Sequence, residues 1–83
     1  MRKETLEKVF EYASMPVHGT LSRKLRKGLR VQVNDGPRHE EATIFLGDEF
    51  VRVTEEKSGE VVNTYYDWNS VASVRTVTTP DEK

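Results

Sequence analysis

Cysteine is absent from this chain of 83 residues, and tryptophan, histidine and proline are scarce. Without cysteine there are no disulfides and no thiolate metal clusters, so apolar packing or self-association must hold a single domain together. Apolar runs span only a few residues, which predicts no transmembrane helix and no membrane partner. Residues 1–10 lack the apolar stretch of a secretory signal. We therefore expect one domain, residues 1–77, in the cytoplasm of a prokaryote or of its virus.

The net charge of −1 conceals an uneven distribution along the chain. Residues 1–40 contain nine Lys or Arg and five acids, whereas residues 41–83 contain four and nine. Five of the cations fall between Arg23 and Arg30. Such a dipolar surface can steer an anionic partner, and it can equally dock head to tail on a second copy of the chain.

An amphipathic helix is predicted over residues 3–14. Apolar residues recur there at helical spacing, at Leu6, Val9, Phe10 and Ala13. Pro16 disfavours helical geometry at the residue before it, so the helix should end nearby. We expect this apolar stripe to pack on the rest of the fold rather than to bind a partner.

Residues 18–28 form a basic connector ahead of the strands. Thr20 or Ser22 could cap a short helical turn here, with Gly28 as its C-terminal stop. The cations of this region are Arg23, Lys24, Arg26, Lys27 and Arg30. They are either the solvated face of a connector or contacts to the phosphates of a nucleic acid.

Apolar and polar residues alternate from Leu29 to Val77, which predicts five short antiparallel strands. The predicted strands are 29–33, 42–46, 50–53, 61–66 and 71–77. Turn residues separate them at 34–37, at Gly47-Asp48 with Gly47 at positive φ, and at 57–60. A single helical turn is predicted over 67–70, and residues 78–83 are expected to form a frayed tail. The fold class is mainly β with an N-terminal α-helix.

Five strands behind one helix resemble the small SH3-like barrels, and the helix points to the Sm-like family, which includes the bacterial RNA chaperone type. The resemblance lies mainly in residues 21–53, with Gly28, the strand Leu29–Val33 and the turn Asp35-Gly36 in the family's order. The chain lacks the family's glycine in the second strand and its Arg-Gly motif near the last one. The resemblance implies a small five-stranded antiparallel barrel and RNA as a partner.

No catalytic or metal-binding signature is visible, so we expect no enzyme, no cofactor and no metal. His39 has acidic neighbours in sequence, Asp35, Glu40 and Glu41. Adjacent carboxylates in a strand point to opposite faces and do not converge on one ion. The group is interpreted as solvated loop charge.

Aromatic side chains in the strands offer a possible contact surface. Tyr65 and Tyr66 are neighbours, so one should face the core and the other should face solvent or a partner. Phe45 lies opposite to Ile44 and Leu46, so that outer face is covered either by the N-terminal helix or by another subunit, of which we favour the helix. Phe45 and Tyr66 are the candidate stacking or interface residues.

The favoured function is a non-enzymatic interaction or assembly module, which uses an edge strand or an apolar face to join another protein or itself. The alternative is an Sm-like protein that binds RNA or single-stranded DNA through residues 23–30. Acidic residues around two hairpin tips would repel phosphate from that end of a barrel, which favours the first hypothesis. A small hydrolase is the third and least supported one.

Overall fold

The computed structural model describes residues 1–80, which are mainly β-structure preceded by one helix. The elements in order are α1 (Lys3–Ala13), β1 (Ser14–Pro16), β2 (Arg23–Leu25), β3 (Leu29–Val33), β4 (Arg38–His39), β5 (Thr43–Leu46), β6 (Phe50–Lys57), β7 (Glu60–Asp67), a 3-10 turn (Trp68–Ser70) and β8 (Val74–Thr78). Two antiparallel sheets form, with strand orders β1-β2-β5-β6-β7 and β4-β3-β8. Within residues 1–80, strand pairing does not close them into one barrel.

Each of the five predicted strands overlaps a strand of the structure, namely β3, β5, β6, β7 and β8, but β6 extends to Lys57 and β8 begins only at Val74. Three further short strands, β1, β2 and β4, lie outside the predicted segments. The 3-10 turn stands where a single helical turn is predicted, with Asp67 accepting a hydrogen bond from the Asn69 N–H at its start. Strand β8 includes Thr78, which pairs with Leu29. Residues 81–83 of the predicted tail lie outside the described part of the chain.

Helix α1 ends at Ala13, one residue before its predicted end, and it buries Leu6, Phe10 and Ala13. It packs against β1, β8 and the 3-10 turn. Phe10 meets Trp68 edge to face, with ring centroids 6.2 Å apart. The expectation that the apolar stripe packs on the rest of the fold is therefore confirmed.

The helical turn predicted in the basic connector is wrong, because Arg23–Leu25 form strand β2. This strand lies between β1 and β5, and Lys24 is opposite both Met15 and Thr43. A strand inside a sheet has backbone partners on both sides, whereas an isolated helical turn fixes several dihedral angles for one hydrogen bond. Tertiary pairing therefore outweighs the local helical signals.

Two tight turns connect β5, β6 and β7. Ser58 and Gly59 have φ of 54° and 79°, as a type I′ loop of two residues requires. In the other turn the Gly47 N–H donates to the Phe50 carbonyl at 2.8 Å, so the loop residues are Asp48 and Glu49. The predicted loop is thus wrong by one residue, and Gly47 is not at positive φ.

The core lies between the helix and the two sheets. Val31 and Val33 of β3 are buried with Ile44 of β5 and Val51 and Val53 of β6. These residues alternate with more exposed ones along each strand, as the sequence pattern predicts. Residues 1–80 contain no helix of the length and apolarity that a bilayer crossing needs.

Candidate functional site

Two arginines of the basic segment stabilise the end of helix α1. The Arg23 guanidinium donates to the Ser14 hydroxyl at 2.8 Å and to the Glu11 carbonyl at 3.2 Å. Arg26 Nε donates to the Tyr12 carbonyl at 2.8 Å. The last carbonyls of a helix lack partners within the helix and carry partial negative charge. Both side chains therefore have a structural role that the sequence alone does not reveal.

The other three cations of the segment contact the protein less. Lys24 Nζ donates to the Glu41 carbonyl at 3.1 Å, and Arg30 donates to the Thr79 hydroxyl at 3.2 Å. Lys27 is exposed. An open groove beside β2 is lined by charges of both signs: Lys24, Arg26, Lys27, Glu40, Glu41 and Glu56. The groove is therefore not a uniformly basic surface.

The two neighbouring tyrosines face opposite ways, as predicted. Tyr65 is 57 % exposed, whereas Tyr66 is half-buried and its hydroxyl lies 2.7 Å from His39 Nε2. Of the two, Tyr65 is thus the ring available for stacking. Tyr66 remains a candidate contact residue only through the part of its ring that reaches the surface.

Phe45 belongs to a cluster on the outer face of β5, β6 and β7, which we call the aromatic face: Phe45, Phe50, Arg52 and Tyr65. Arg52 is paired with Phe45 on one side and with Tyr65 on the other. Its guanidinium carbon lies 5.1 Å from the centroid of the Phe45 ring, and Phe50 meets Tyr65 edge to face at 5.5 Å. The expected cover by helix α1 is wrong, because the helix packs on β1, β8 and the 3-10 turn instead.

Strand β7 forms an edge of the larger sheet. It is eight residues long, and Val61 is 63 % exposed. The side of its backbone that faces away from β6 has no neighbouring strand among residues 1–80. Such an edge offers a row of N–H and C=O groups to another chain.

His39 lies at the centre of a buried polar cluster with Glu55 and Tyr66. Its ring is 1 % exposed, and Glu55 is 5 % exposed. Nδ1 lies 2.8 Å from Glu55 Oε1, and the other carboxylate oxygen accepts the Glu40 N–H at 3.2 Å. The interpretation of His39 as part of a solvated loop charge is therefore wrong, although Asp35, Glu40 and Glu41 are exposed.

The protonation states of this cluster follow from its surroundings. Burial acts to raise the pKa of Glu55, but hydrogen bonds from His39 and from the Glu40 N–H, together with the charges of His39 and Lys57, leave the pKa below its ordinary value. Burial raises the pKa of Tyr66, and the charge of Glu55 raises it further. Glu55 is thus a carboxylate that accepts the Nδ1 proton of His39, and the phenol of Tyr66 keeps its proton beside Nε2.

Both nitrogens of His39 are therefore occupied by neighbours in the same chain. A ring that is almost completely buried presents neither nitrogen to an external substrate. Chemically, the cluster can fix orientation: it joins β4 of the smaller sheet to β6 and β7 of the larger one. Buried polar groups that are fully hydrogen-bonded specify one arrangement of the elements that carry them.

One signal in the sequence could have revealed Glu55. The buried positions Val51 and Val53 alternate along β6, and Glu55 continues that register on the same face. The predicted strand 50–53 ends before Glu55. For His39, no comparable local pattern exists, because β4 contains only two residues.

Residues 1–80 hold no group of three or more His, Asp or Glu side chains placed to bind a metal ion. Comparison of the chain with protein-family models, with curated proteins and with solved structures gives no match. The geometry of the residues themselves is therefore what indicates a function.

Proposed function

We propose that this protein is a non-enzymatic interaction or assembly module, which joins another protein or a second copy through the open edge of β7. The observation that carries the proposal is the unpaired side of that eight-residue strand, with exposed apolar residues beside it. A long edge of this kind pairs readily with another extended chain.

The register indicates which backbone groups point to the open edge. The Gly47 N–H bonds to the Phe50 carbonyl, so Phe50, Arg52 and Thr54 direct their backbone groups toward β5. Because this direction alternates along an antiparallel strand, the backbone groups of Val51 and Val53, which lie between these residues, point toward β7. On β7 the outward groups belong to Val61, Asn63 and Tyr65. An added strand would bond to these three residues.

The side chains along the edge support a protein partner. Val61 and Tyr65 are exposed on one face, and Val62 is exposed on the other. A partner strand would gain backbone hydrogen bonds and would also cover these apolar surfaces. The edge carries acidic residues at both ends, Glu60 and Asp67, and no cation. That composition disfavours nucleic acid at this surface.

The SH3-like or Sm-like barrel remains part of this proposal. Its support is that both sheets and the helix share one core. In addition, His39 of the smaller sheet contacts Glu55 and Tyr66 of the larger one. A regulatory role and a cytoplasmic location also belong to the proposal.

The test uses two substitutions at one exposed position of the edge. Val61→Pro removes an outward N–H, whereas Val61→Thr keeps the N–H and the β-branched shape. In sedimentation equilibrium over a range of concentrations, we expect the parent and Val61→Thr to exceed the mass of one chain and Val61→Pro to have a lower average mass than both. A folded Val61→Pro variant with the same mass distribution as the parent would contradict assembly through this edge.

The alternative function is binding of RNA or single-stranded DNA by the basic segment. It is supported by the exposure of Lys24, Arg26 and Lys27 along one groove, and it is opposed by the three carboxylates there. Its test is a titration with single-stranded oligonucleotides at two salt concentrations, in parent and Lys24→Glu/Lys27→Glu proteins. Salt-sensitive binding that the double variant lacks would support this alternative.

A further inference from the structure

The aromatic face has the features of a contact surface rather than of a solvated one. Its rings stand beside Leu21, which is 86 % exposed. The Phe45 ring contacts the Phe50 ring, and the Phe50 ring contacts the Tyr65 ring, so the three rings form a continuous apolar surface on the outside of the larger sheet. Contiguous apolar surface on a small protein marks a site of association.

One nitrogen of Arg52, at the centre of this face, has no hydrogen bond. Its Nε is buried and has no hydrogen-bond partner within residues 1–80. The guanidinium forms no ion pair with a carboxylate of the described chain. A buried polar group without a partner costs stability, and a charged one costs more. Because the charge is delocalised over the whole guanidinium, a carboxylate of another molecule beside it would offset part of that cost.

Carboxylates stand at one end of the same face. Asp48 and Glu49 form the β5–β6 loop, are exposed, and line a shallow pocket with Phe45 and Phe50. Neither forms an ion pair with a cation of residues 1–80. The aromatic face and its loop thus carry one cation, Arg52, and two carboxylates, Asp48 and Glu49. Arg52 forms no ion pair with either carboxylate of its own chain.

We propose that the aromatic face binds the same face of a second copy around a two-fold axis, with Arg52 of each chain paired to Asp48 or Glu49 of the other. In an isologous contact a residue i meets j while j meets i, so one surface must carry both charges. This one does. The carboxylates would repel a purely anionic partner such as a nucleic acid. The inference rests on the proposed assembly function but uses the face of the sheet instead of its edge.

The test exchanges charges between the two partners. Arg52→Glu places a carboxylate opposite Asp48 and Glu49 of the other copy, and Glu49→Arg places a cation opposite Arg52. In sedimentation equilibrium of the full chain we expect each variant alone to weaken the dimer by about tenfold or more. An equimolar mixture should restore it, since both cross-pairs become attractive. Lys8→Glu, the same kind of charge change on helix α1, should leave the dimer intact.

The outcomes separate this inference from the proposed function. The inference is overturned if the wild-type chain is monomeric, if Arg52→Glu leaves the dimer unchanged, or if the mixture does not dimerise. If Val61→Pro loses assembly and Arg52→Glu does not, the chain assembles through the β7 edge and not through the aromatic face. If Arg52→Glu loses assembly and Val61→Pro does not, the chain assembles through the aromatic face and not through the edge. Circular dichroism of each variant shows that it is folded.

Discussion

His39 Nδ1 lies 2.8 Å from Oε1 of Glu55, and this contact joins the smaller sheet to the larger one inside the protein. Both side chains are almost completely buried. The carboxylate receives a further bond from the Glu40 N–H, and the far side of the imidazole meets the Tyr66 hydroxyl. A polar contact so placed determines how the two sheets sit together, and its removal should be costly.

Replacement of His39 should destabilise the fold strongly. His39→Leu leaves the Glu55 carboxylate buried without its main partner, and loss of one partner of a buried pair costs about 3 kcal/mol or more of unfolding free energy. Tyr66→Phe removes only an outer bond and should cost about 1 kcal/mol. Urea unfolding of the two variants measures both values. A His39→Leu protein as stable as the Tyr66→Phe protein would contradict the role assigned to the pair.

The double variant His39→Leu/Glu55→Leu should be more stable than His39→Leu alone. Replacement of both partners removes the stranded carboxylate as well as the bond, and apolar groups of similar size are tolerated in a core. The same urea measurement completes a double-mutant cycle. Simple addition of the two single effects would show that the residues do not interact.

Glu55 should make the protein sensitive to acid. Because its pKa in the folded state lies below the ordinary value of 4.5, its stabilising effect is fully present above that pH. The effect is lost as the pH falls through the folded-state pKa, where the carboxylate takes up a proton. The difference in unfolding free energy between parent and Glu55→Gln should therefore shrink in acid. Urea unfolding at several pH values tests this, and a difference that grows in acid would contradict it.

Arg26 and Lys27 offer a matched comparison, because they are adjacent and both exposed. Arg26 donates to the Tyr12 carbonyl at the end of α1, so Arg26→Ala should lower the unfolding free energy by about 1 kcal/mol. Lys27→Ala should have an effect near zero. Thermal unfolding followed by circular dichroism measures both. Equal effects would show that the guanidinium does not stabilise the helix end.

Gly47→Ala should destabilise the β5–β6 hairpin. A Cβ at this position would lie 2.9 Å from the backbone carbonyl oxygen of Phe50 and 3.3 Å from the Phe45 ring. Relief requires movement of the backbone, so we expect a loss of about 1–3 kcal/mol. Chemical denaturation measures the loss. An alanine variant with the stability of the parent would show that the turn relaxes freely.

Local signals were sufficient for the helix and for the approximate positions of the five longer strands. Apolar spacing placed the helix within one residue, and alternation placed the five longer strands. The turn at residues 57–60 was also predicted from its residues, although its type I′ geometry was not. The short strands β1, β2 and β4 have no such pattern, because two or three residues contain too little periodicity. Their pairing depends on neighbours distant in sequence.

Apolar spacing alone specifies a helix followed by alternating strands, since burial of one face of each element requires apolar residues at period 3.6 or 2. The roles of individual polar side chains depend instead on the tertiary fold. It turned Arg23 and Arg26 toward the end of α1, brought His39 to Glu55 across 16 residues, and left Arg52 Nε without a hydrogen-bond partner. The physical reason is that a charged or polar group takes its role from partners in space, and these come from other strands.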